Sequence, residues 1–405
     1  MKAACRVIGI AVLAAIAAVT VCRAADDHQL SQPAADAAIS RWPDGRFTAP
    51  GEKWAWNYEL GTLLEGMDSV WRSSGNARYL DYIRKSVDVL VGPDGSIPTY
   101  KVEEYQLDNI LTGRQLLFLY MQTHDERYFK AATLLYDQLQ HQPRNASGGF
   151  WHKQRYPNQM WLDGLYMAEP FYAEYSVLTH NEKNFDDITH QFVLIEQHAR
   201  DPKTGLLYHG WDESKQERWA SKTTGLSQEF WARAMGWYMM ALVDTLDYYP
   251  ANHPGRAKLI AILNREAAAV AKYQDAKTGL WYQVIDKPAA KGNYFESSAA
   301  CMFVYALAKG VHRGYLPARY LANADRGYKG IKSKFITLAL DPKADVSLTT
   351  TVKAAGLGGE PYRDGTFAYY IGEKTVTNDP KGVGAFLLAA SEMEAASKTT
   401  PTKQK

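Results

Sequence analysis

Cysteine is scarce in this 405-residue chain, which contains three: Cys5, Cys22 and Cys301. So few thiols do not predict a disulfide framework or a thiolate-rich zinc site. An excess of charge of one sign is also missing, because 46 basic and 44 acidic residues leave a formal net charge of +2. A nearly neutral chain without a basic run does not predict a nucleic-acid partner.

Long apolar runs are lacking except near the N-terminus. There, Lys2 and Arg6 precede 15 almost wholly apolar residues, 7–21. This pattern predicts a secretory signal peptide over residues 1–24, and the run is too short to favour a transmembrane helix. We therefore expect a periplasmic or secreted protein with no membrane attachment after cleavage. Lipidation at Cys22 is not favoured, because the residue before it is bulky.

Alternating polar and apolar residues, which mark half-buried strands, never continue long enough to predict a substantial sheet. Apolar residues recur instead at helical spacing, as in 107–121 and 230–246. Between such segments a glycine turn and a short aromatic stretch recur, most clearly in DPKTGLLY from Asp201 and DAKTGLWY from Asp275. Repeated helical hairpins form an open solenoid or a closed ring. The aromatic turns favour a closed ring, in which they would gather at one mouth.

The length of the chain fits one domain. Six hairpins of about 50–60 residues each would fill it. We expect an N-terminal arm over 25–45, a single catalytic domain over 46–395 and a flexible tail over 396–405, because no linker rich in Pro, Gly or Ser divides the chain.

Aromatic residues are plentiful, at 12% of the chain, and they crowd the stretch 151–175 around Asp163. A carboxyl group among aromatic rings loses solvation, which favours its neutral form and suits proton exchange. The stretch therefore predicts Asp163 as a general acid and base, with His152, Lys153 and Trp161 close by. The alternative is a helix start whose acid merely complements the helix dipole.

Polar residues in other segments are further candidates. Asp108, in YQLDNI, is predicted to open a helix, where it could equally serve only the helix dipole. In LYHGWD, His209 and Trp211 precede Asp212. A metal site would need a third ligand, and none has the required spacing, so we predict no metal.

Arg233 and Trp237 are four residues apart and share one face of a predicted helix. A guanidinium beside a ring can bind a carboxylate while the ring stacks on a sugar. Alternatively, the aliphatic part of Arg233 only covers core aromatics. Tyr58 follows Trp54 and Trp56 at the first long predicted helix.

Six stretches, in the same order, resemble the unsaturated rhamnogalacturonyl hydrolases, glycoside hydrolase family 105, over nearly the whole chain after the predicted signal. They are WAWNY from Trp54, WHKQRYPNQMWLDGLYMAEPF from Trp151, LYHGWDE from Leu207, FWARAMGWYMMALVD from Phe230, YFESSAACMFVYALAKG from Tyr294 and DGTFAYYIGE…NDPKGVGAFLLA from Asp364. The resemblance implies an all-α (α/α)6 barrel, which agrees with the closed ring of hairpins.

The resemblance also implies a reaction. Members of the family act on the 4,5-unsaturated uronic acid that polysaccharide lyases leave at a non-reducing end, such as unsaturated galacturonyl-rhamnose from pectin. They hydrate its double bond and need no cofactor. By similarity, Asp163 would protonate C4 and then take a proton from the water that adds at C5. Asp108 looks like the second acid near the site, and its negative charge would help keep Asp163 protonated. His209 looks like the histidine beside the water or the sugar.

The remaining implied contacts concern substrate binding. Arg233 looks like the group that meets the uronate carboxylate. The residues predicted to form the walls, the rim and a further sugar contact are Tyr58, Trp161, Trp237, His152, Lys153 and Trp211. A small oligosaccharide is the expected partner, and the sequence predicts no particular oligomeric state.

Two other interpretations remain open at this level. An ordinary inverting glycosidase would use Asp108 and Asp163 as two carboxyl groups roughly 6.5–9.5 Å apart, and it would act on saturated uronides. A non-catalytic helical-repeat scaffold would leave the candidate residues scattered over the surface.

Overall fold

The structure is a computed structural model that describes residues 29–48, 53–338 and 346–399. The helices α1 to α13 are Ser31–Arg41, Tyr58–Ser74, Ala77–Asp88, Gly113–Thr123, Glu126–His141, Leu162–Leu178, Asn184–Ala199, Ala232–Leu246, Pro254–Lys272, Ser297–His312, Leu321–Lys334, Phe367–Gly372 and Pro380–Thr399. The strands β1 to β6 are Gln159–Trp161, Gly210–Asp212, Ile336–Leu338, Val346–Leu348, Thr351–Val352 and Thr375–Val376. They pair antiparallel as β1–β2, β3–β4 and β5–β6. The predicted signal peptide lies outside the described residues.

Six helices form a closed inner ring. In order these are α2, α4, α6, α8, α10 and α13, each packed on the next, with α13 packed back on α2. The outer layer, α1, α3, α5, α7, α9 and α11, covers them. An inner helix is covered on most of its surface, so most of its residues are apolar. Helix α8 is an example, because every residue from Ala232 to Leu246 is buried. The predicted all-α (α/α)6 barrel is confirmed.

The inner helices all start at the same mouth, because each outer helix returns the chain before the next inner helix begins. Tyr58 is the first residue of α2, Asp163 is the second of α6 and Arg233 is the second of α8. Residues from remote parts of the chain thereby meet at one end of the barrel. Among the described residues, no helix has both the length and the apolar character needed to span a membrane.

The N-terminal segment differs from the sequence prediction. Residues expected to form an arm, 25–45, include α1, which takes a place in the outer layer. The backbone N–H groups of Leu30 and Ser31 donate to the carboxylate of Glu394 on α13, at 2.6 and 3.1 Å. Helix α1 is small and rich in alanine, so its contribution to the barrel is not visible from hydrophobic periodicity. Helix α13 also continues to Thr399, past the predicted domain end.

The repeated turn noticed in the sequence is a repeated structure. The carboxylate of Asp201 accepts bonds from the backbone N–H and the hydroxyl of Thr204, at 2.8 and 2.7 Å. Asp275 holds Thr278 in the same way, with both bonds at 2.7 Å. A glycine with positive φ follows each threonine, at +78° and +74°. Each turn joins an outer helix to an aromatic segment, so local chemistry fixes the connection.

Candidate active site

A cavity of about 150 Å³ opens at the mouth where the inner helices begin. It is lined by Tyr58, Asp108, His152, Lys153, Trp161, Asp163, Met167, Trp231, Arg233, Trp237, Ala354, Ala355 and Arg363. Eight of the ten site residues predicted from the sequence are in this lining. A larger groove of about 550 Å³ lies at 200–202, 208 and 218–228, and it contains none of the ten.

Asp163 stands in the first turn of α6, directly after β1. Strand β1 pairs with β2, and the N–H of Leu162 donates to the carbonyl of His209 at 3.0 Å. This pairing brings Nε2 of His209 to 3.0 Å from Oδ2 of Asp163. The two atoms are close enough for an ion pair but are not aligned for a hydrogen bond. His209 is fully buried, and its Nδ1 lies 2.7 Å from the hydroxyl of Tyr370.

Asp108 is bound on both sides. Nζ of Lys153 donates to its Oδ2 at 2.5 Å, and Nε2 of His152 lies 3.3 Å from its Oδ1. Burial alone would raise the pKa of Asp108, but Lys153 and His152 outweigh it and hold that pKa well below its usual range. Burial also lowers the pKa of His152, which favours the neutral ring. Asp108 does not open an α-helix as predicted, because it lies in a 3₁₀ turn, Leu107–Asn109, and α4 begins five residues after it, at Gly113.

Arg233 is almost fully buried and is held by backbone and carboxylate together. Its Nη2 donates to the carbonyl of Val352 and lies 3.8 Å from Oε1 of Glu296. Glu296 in turn accepts bonds from the N–H groups of Val352 and Ala299, at 2.9 and 2.7 Å. Nε of Arg233 is buried and lacks a hydrogen-bond partner among the described residues. The guanidinium is therefore rigid and still has a donor for a ligand.

Aromatic rings form the walls. The ring of Trp161 is stacked on His152 at a centroid distance of 4.4 Å and on Tyr156 at 5.0 Å. Trp237 is stacked on Tyr166 at 5.1 Å. Tyr58 keeps its proton, because burial, then Glu59 and Asp108, raise its pKa well above the usual value. Flat apolar faces and a neutral phenol suit the contact with a sugar ring.

His209 and Trp211 are the two predicted residues outside the cavity lining: His209 is buried beside Asp163, whereas the fold places Trp211 elsewhere. It pairs with Met160 across the β1–β2 ribbon, and its ring stacks on His198 of α7 at 3.7 Å. It is buried and is not part of the cavity lining. The ring packs the ribbon against the outer layer, which is why the ribbon can hold Trp161 and His209 in place.

Four residues with a part in the site were not selected from the sequence. They are Trp231, Glu296, Arg363 and Tyr370. Trp231 lies two residues before Arg233, and the Arg233 guanidinium is 5.4 Å from its ring centroid. Its closeness to Arg233 in the sequence could have indicated a place in the site. Arg363 donates to the hydroxyl of Tyr156 at 2.7 Å. The two residues are 207 apart in the sequence, so no local pattern predicts that contact.

Within the described ranges, no three His, Cys, Asp or Glu side chains are arranged to hold a metal ion.

Known proteins are similar to this chain in sequence and in fold. The sequence model of Glycosyl Hydrolase Family 88 matches residues 30–397. A solved glycoside hydrolase of family 105 from C. acetobutylicum is 46% identical, with a TM-score of 0.86, and the match covers 91% of this chain and 99% of the other.

Curated relatives extend the comparison. Protein Atu3128 of Agrobacterium fabrum is 39% identical over 230 residues, which is 56% of this chain and 97% of that protein. Unsaturated rhamnogalacturonyl hydrolase YesR of Bacillus subtilis is 28% identical over 259 residues, which is 62% of this chain and 70% of YesR. These matches exclude the interpretation as a non-catalytic scaffold. The chain belongs to glycoside hydrolase family 105, and the protein is a glycoside hydrolase that acts on an oligosaccharide.

Proposed function

We propose that this enzyme hydrates the C4=C5 double bond of an unsaturated uronic acid at the non-reducing end of a lyase-generated, pectin-type oligosaccharide. One observation carries the proposal. Of the two carboxyl groups that line the cavity, Asp108 is bound by Lys153 and lies beside His152, whereas Asp163, within the described residues, has no Lys or Arg at ion-pair distance and faces only the imidazole of His209. Hydration needs one carboxyl group that first gives a proton and then takes one, and Asp163 is suited to both steps.

An inverting glycosidase needs two carboxyl groups in different roles, one as acid and one as base. Asp108 is a poor candidate for either. Lys153 and His152 lower its pKa, which disfavours the protonated form that an acid must have. The same low pKa makes it a weak base, and the Lys153 bond occupies Oδ2. Asp108 instead supplies a fixed negative charge beside Asp163.

The chemistry would run as follows. Asp163 gives its proton to C4, and the electron pair of the double bond forms the new C–H bond. Positive charge develops at C5 and is shared by the ring oxygen. Water then bonds to C5 while Asp163 takes one of its protons. The resulting hemiketal opens to a ketone at C5, which leaves a hemiacetal at C1 that releases the second sugar.

The surroundings of Asp163 fit these steps. His209 is buried beside Oδ2 of Asp163 and is held by Tyr370, so the imidazole can orient the carboxyl group that meets the incoming water. Arg233 offers a buried donor to the uronate carboxylate, and its pairing with Glu296 keeps the guanidinium in position. The small cavity volume suits a single terminal sugar. The name of the relative YesR, an unsaturated rhamnogalacturonyl hydrolase, supports galacturonyl-rhamnose as the substrate.

We propose that the enzyme acts in the periplasm or outside the cell. The apolar run of residues 7–21 supports this location.

The deciding experiment compares an unsaturated and a saturated galacturonyl-rhamnose in heavy water. The saturated sugar keeps the carboxylate, a similar ring and the glycosidic bond, but it has no double bond to accept a proton. We expect it to bind without release of rhamnose. The unsaturated sugar should lose its ultraviolet absorbance, and the product should carry deuterium at C4. Release of rhamnose from the saturated sugar, or a product free of deuterium at C4, would favour the inverting glycosidase instead.

A further inference from the structure

A second, much smaller cavity lies directly behind the first. Its volume is about 10 Å³. It is lined by Leu107, Phe150, His152, Met160, Trp161, Gly164, Leu165, Glu169 and Gln191. His152 and Trp161 line both cavities, so their stacked rings are the partition between the substrate site and this inner space.

His152 presents one ring nitrogen to each side of the partition. Nε2 lies 3.3 Å from Asp108 on the substrate side. Nδ1 faces Gly164, since a Cβ atom added to that glycine would come within 3.1 Å of it. Nδ1 is buried and has no hydrogen-bond partner among the described residues. A ring nitrogen in that position must be satisfied from the inner cavity, because buried polar atoms are rarely left unpaired.

Glu169 is the acid of the inner cavity. It is 1% exposed, and its Oε2 also lacks a hydrogen-bond partner in the described part of the chain. The third polar residue, Gln191, is already engaged: its Oε1 accepts from the N–H of Phe150 at 2.9 Å, and its Nε2 donates to the carbonyl of Gly148 at 3.1 Å. His152 and Glu169 are therefore the two groups that need a partner there.

A cavity of about 10–15 Å³ holds one water molecule when its walls are polar. We propose that one water in the inner cavity bridges Glu169 to Nδ1 of His152, which makes Glu169 a positioning residue that fixes His152 as the Nε2–H tautomer facing Asp108. Glu169 lies on α6, the helix that carries Asp163, but on another face. Nothing in the reaction described above uses it.

The protonation states are consistent with this bridge. Burial, followed by the charge of Asp187, raises the pKa of Glu169 well above its usual value, and Arg144 opposes this only in part. A neutral carboxylic acid donates its O–H to the water, and the water donates to the lone pair on Nδ1. The proton of a neutral His152 then sits on Nε2, which lies 3.3 Å from Oδ1 of Asp108. The bridge therefore orients the carboxylate next to Asp163, and its effect on turnover rests on the function proposed above.

The test uses Glu169→Met, which keeps the volume and removes the polar atoms, and Glu169→Gln, which restores a donor. In full-length protein labelled with ¹⁵N-histidine, the His152 signals are assigned from their loss in His152→Asn. We expect the wild type and the Gln variant to show the Nε2–H tautomer. The Met variant should show a mixture or the Nδ1–H form, with a kcat lower by about tenfold, the usual scale for removing an orienting partner.

Two further variants separate positioning from general damage. Gly164→Ala places a methyl group against Nδ1 and should change the tautomer as Glu169→Met does, without touching the acid. Ser176→Ala removes another buried polar group from α6, where its hydroxyl bonds Tyr172 at 2.6 Å, and should leave the His152 signals unchanged.

The tautomer measurement needs no substrate, so it stands even if the hydration mechanism fails. An unchanged Nε2–H signal in both Glu169→Met and Gly164→Ala would overturn the proposal. So would an equal loss of kcat in Glu169→Gln and Glu169→Met with identical ¹⁵N signals. If Glu169→Met does not fold, Gly164→Ala alone decides the question.

Discussion

At the scale of single residues, Asp163 carries the proposed chemistry. Asparagine has the same shape as aspartate but has no proton to transfer. We expect Asp163→Asn to fold and bind the unsaturated disaccharide normally while kcat falls by roughly 10²–10⁴-fold, the contribution of a general acid–base group. The measurements are the ultraviolet assay for kcat and calorimetry for binding. A variant that keeps a tenth of the wild-type rate would move the role to another group.

The contribution of Arg233 to kcat/KM should depend on the negative charge of the substrate. Truncation to alanine removes a charge-assisted bond of about 1.5–3 kcal/mol, which corresponds to roughly ten- to hundredfold in kcat/KM. Esterifying the uronate carboxylate removes the same interaction from the other side, so the two changes together should be much less than additive. The test compares kcat/KM for the free and the esterified substrate, each measured with the wild type and with Arg233→Ala. Arg363 is the second arginine of the cavity, and non-additivity found with Arg363→Ala instead would assign the carboxylate to it.

At the scale of elements, the two repeated turns offer a matched pair. Gly205 and Gly279 both have positive φ, so alanine at either position costs about 1–2 kcal/mol of backbone strain. An added Cβ at Gly205 would meet its nearest neighbour at 3.4 Å, an ordinary contact. At Gly279 it would come within 2.3 Å of the backbone oxygen of Arg326, on α11.

We therefore expect Gly279→Ala to be the more destabilising change, by about 1–3 kcal/mol beyond the strain common to both, because a helix backbone cannot move aside cheaply. Urea unfolding of the two variants and the wild type measures the difference. Equal unfolding midpoints for the two variants would show that α11 shifts to admit the methyl group.

At the scale of the whole molecule, a buried charge network ties the inner helices together. Arg114 of α4 contacts Glu65 of α2 at 2.7 Å and Asp244 of α8 at 2.9 Å. Lys309 of α10 binds the other oxygen of Asp244 at 2.7 Å. Glu174 of α6 approaches Arg114 at 3.9 Å. Five of the six inner helices thus share one ionic cluster that no local sequence pattern indicated.

This cluster predicts how stability depends on pH. Burial raises the pKa of Glu65 and of Glu174 to about 7, in spite of Arg114. The folded state therefore holds more protons than the unfolded state between the ordinary glutamate pKa and about 7. Stability from this source is complete below the ordinary pKa and is lost as the pH rises through 7. The loss should be on the order of 3 kcal/mol per group.

Glu65→Gln removes one of these titrations and keeps an acceptor for Gln115, which donates to Glu65 at 2.6 Å in the wild type. Urea unfolding at pH 5 and pH 8 should show a smaller difference in stability for this variant than for the wild type. Glu182→Gln, an exposed change before α7, is the control and should behave as the wild type. An unchanged pH dependence in Glu65→Gln would mean that Glu65 is ionised throughout this range.

The sequence alone determined those features of the fold that depend on residues close together in the chain. Helical periodicity is set by contacts within a few residues, so the all-helical class and the hairpin repeat were predictable. The Asp-Thr-Gly turns are local hydrogen-bonded structures and appear as the sequence suggested. Asp163 could be selected as a candidate because its aromatic neighbours lie in the same stretch. Helix α1 was missed, because its alanine-rich pattern gains stability only when α13 is in place.

Only the tertiary structure decided which side chains meet across the mouth. Asp108 and Lys153 are 45 residues apart, and His209 and Tyr370 are 161 apart. Such pairs form because the inner ring closes and brings the starts of its helices together, an outcome of packing over the whole chain. The same closure turned Trp211 toward α7 and left Asp163 without the cation that Asp108 holds. The sequence therefore supplied the candidate groups, and the closed ring determined their partners and so their chemistry.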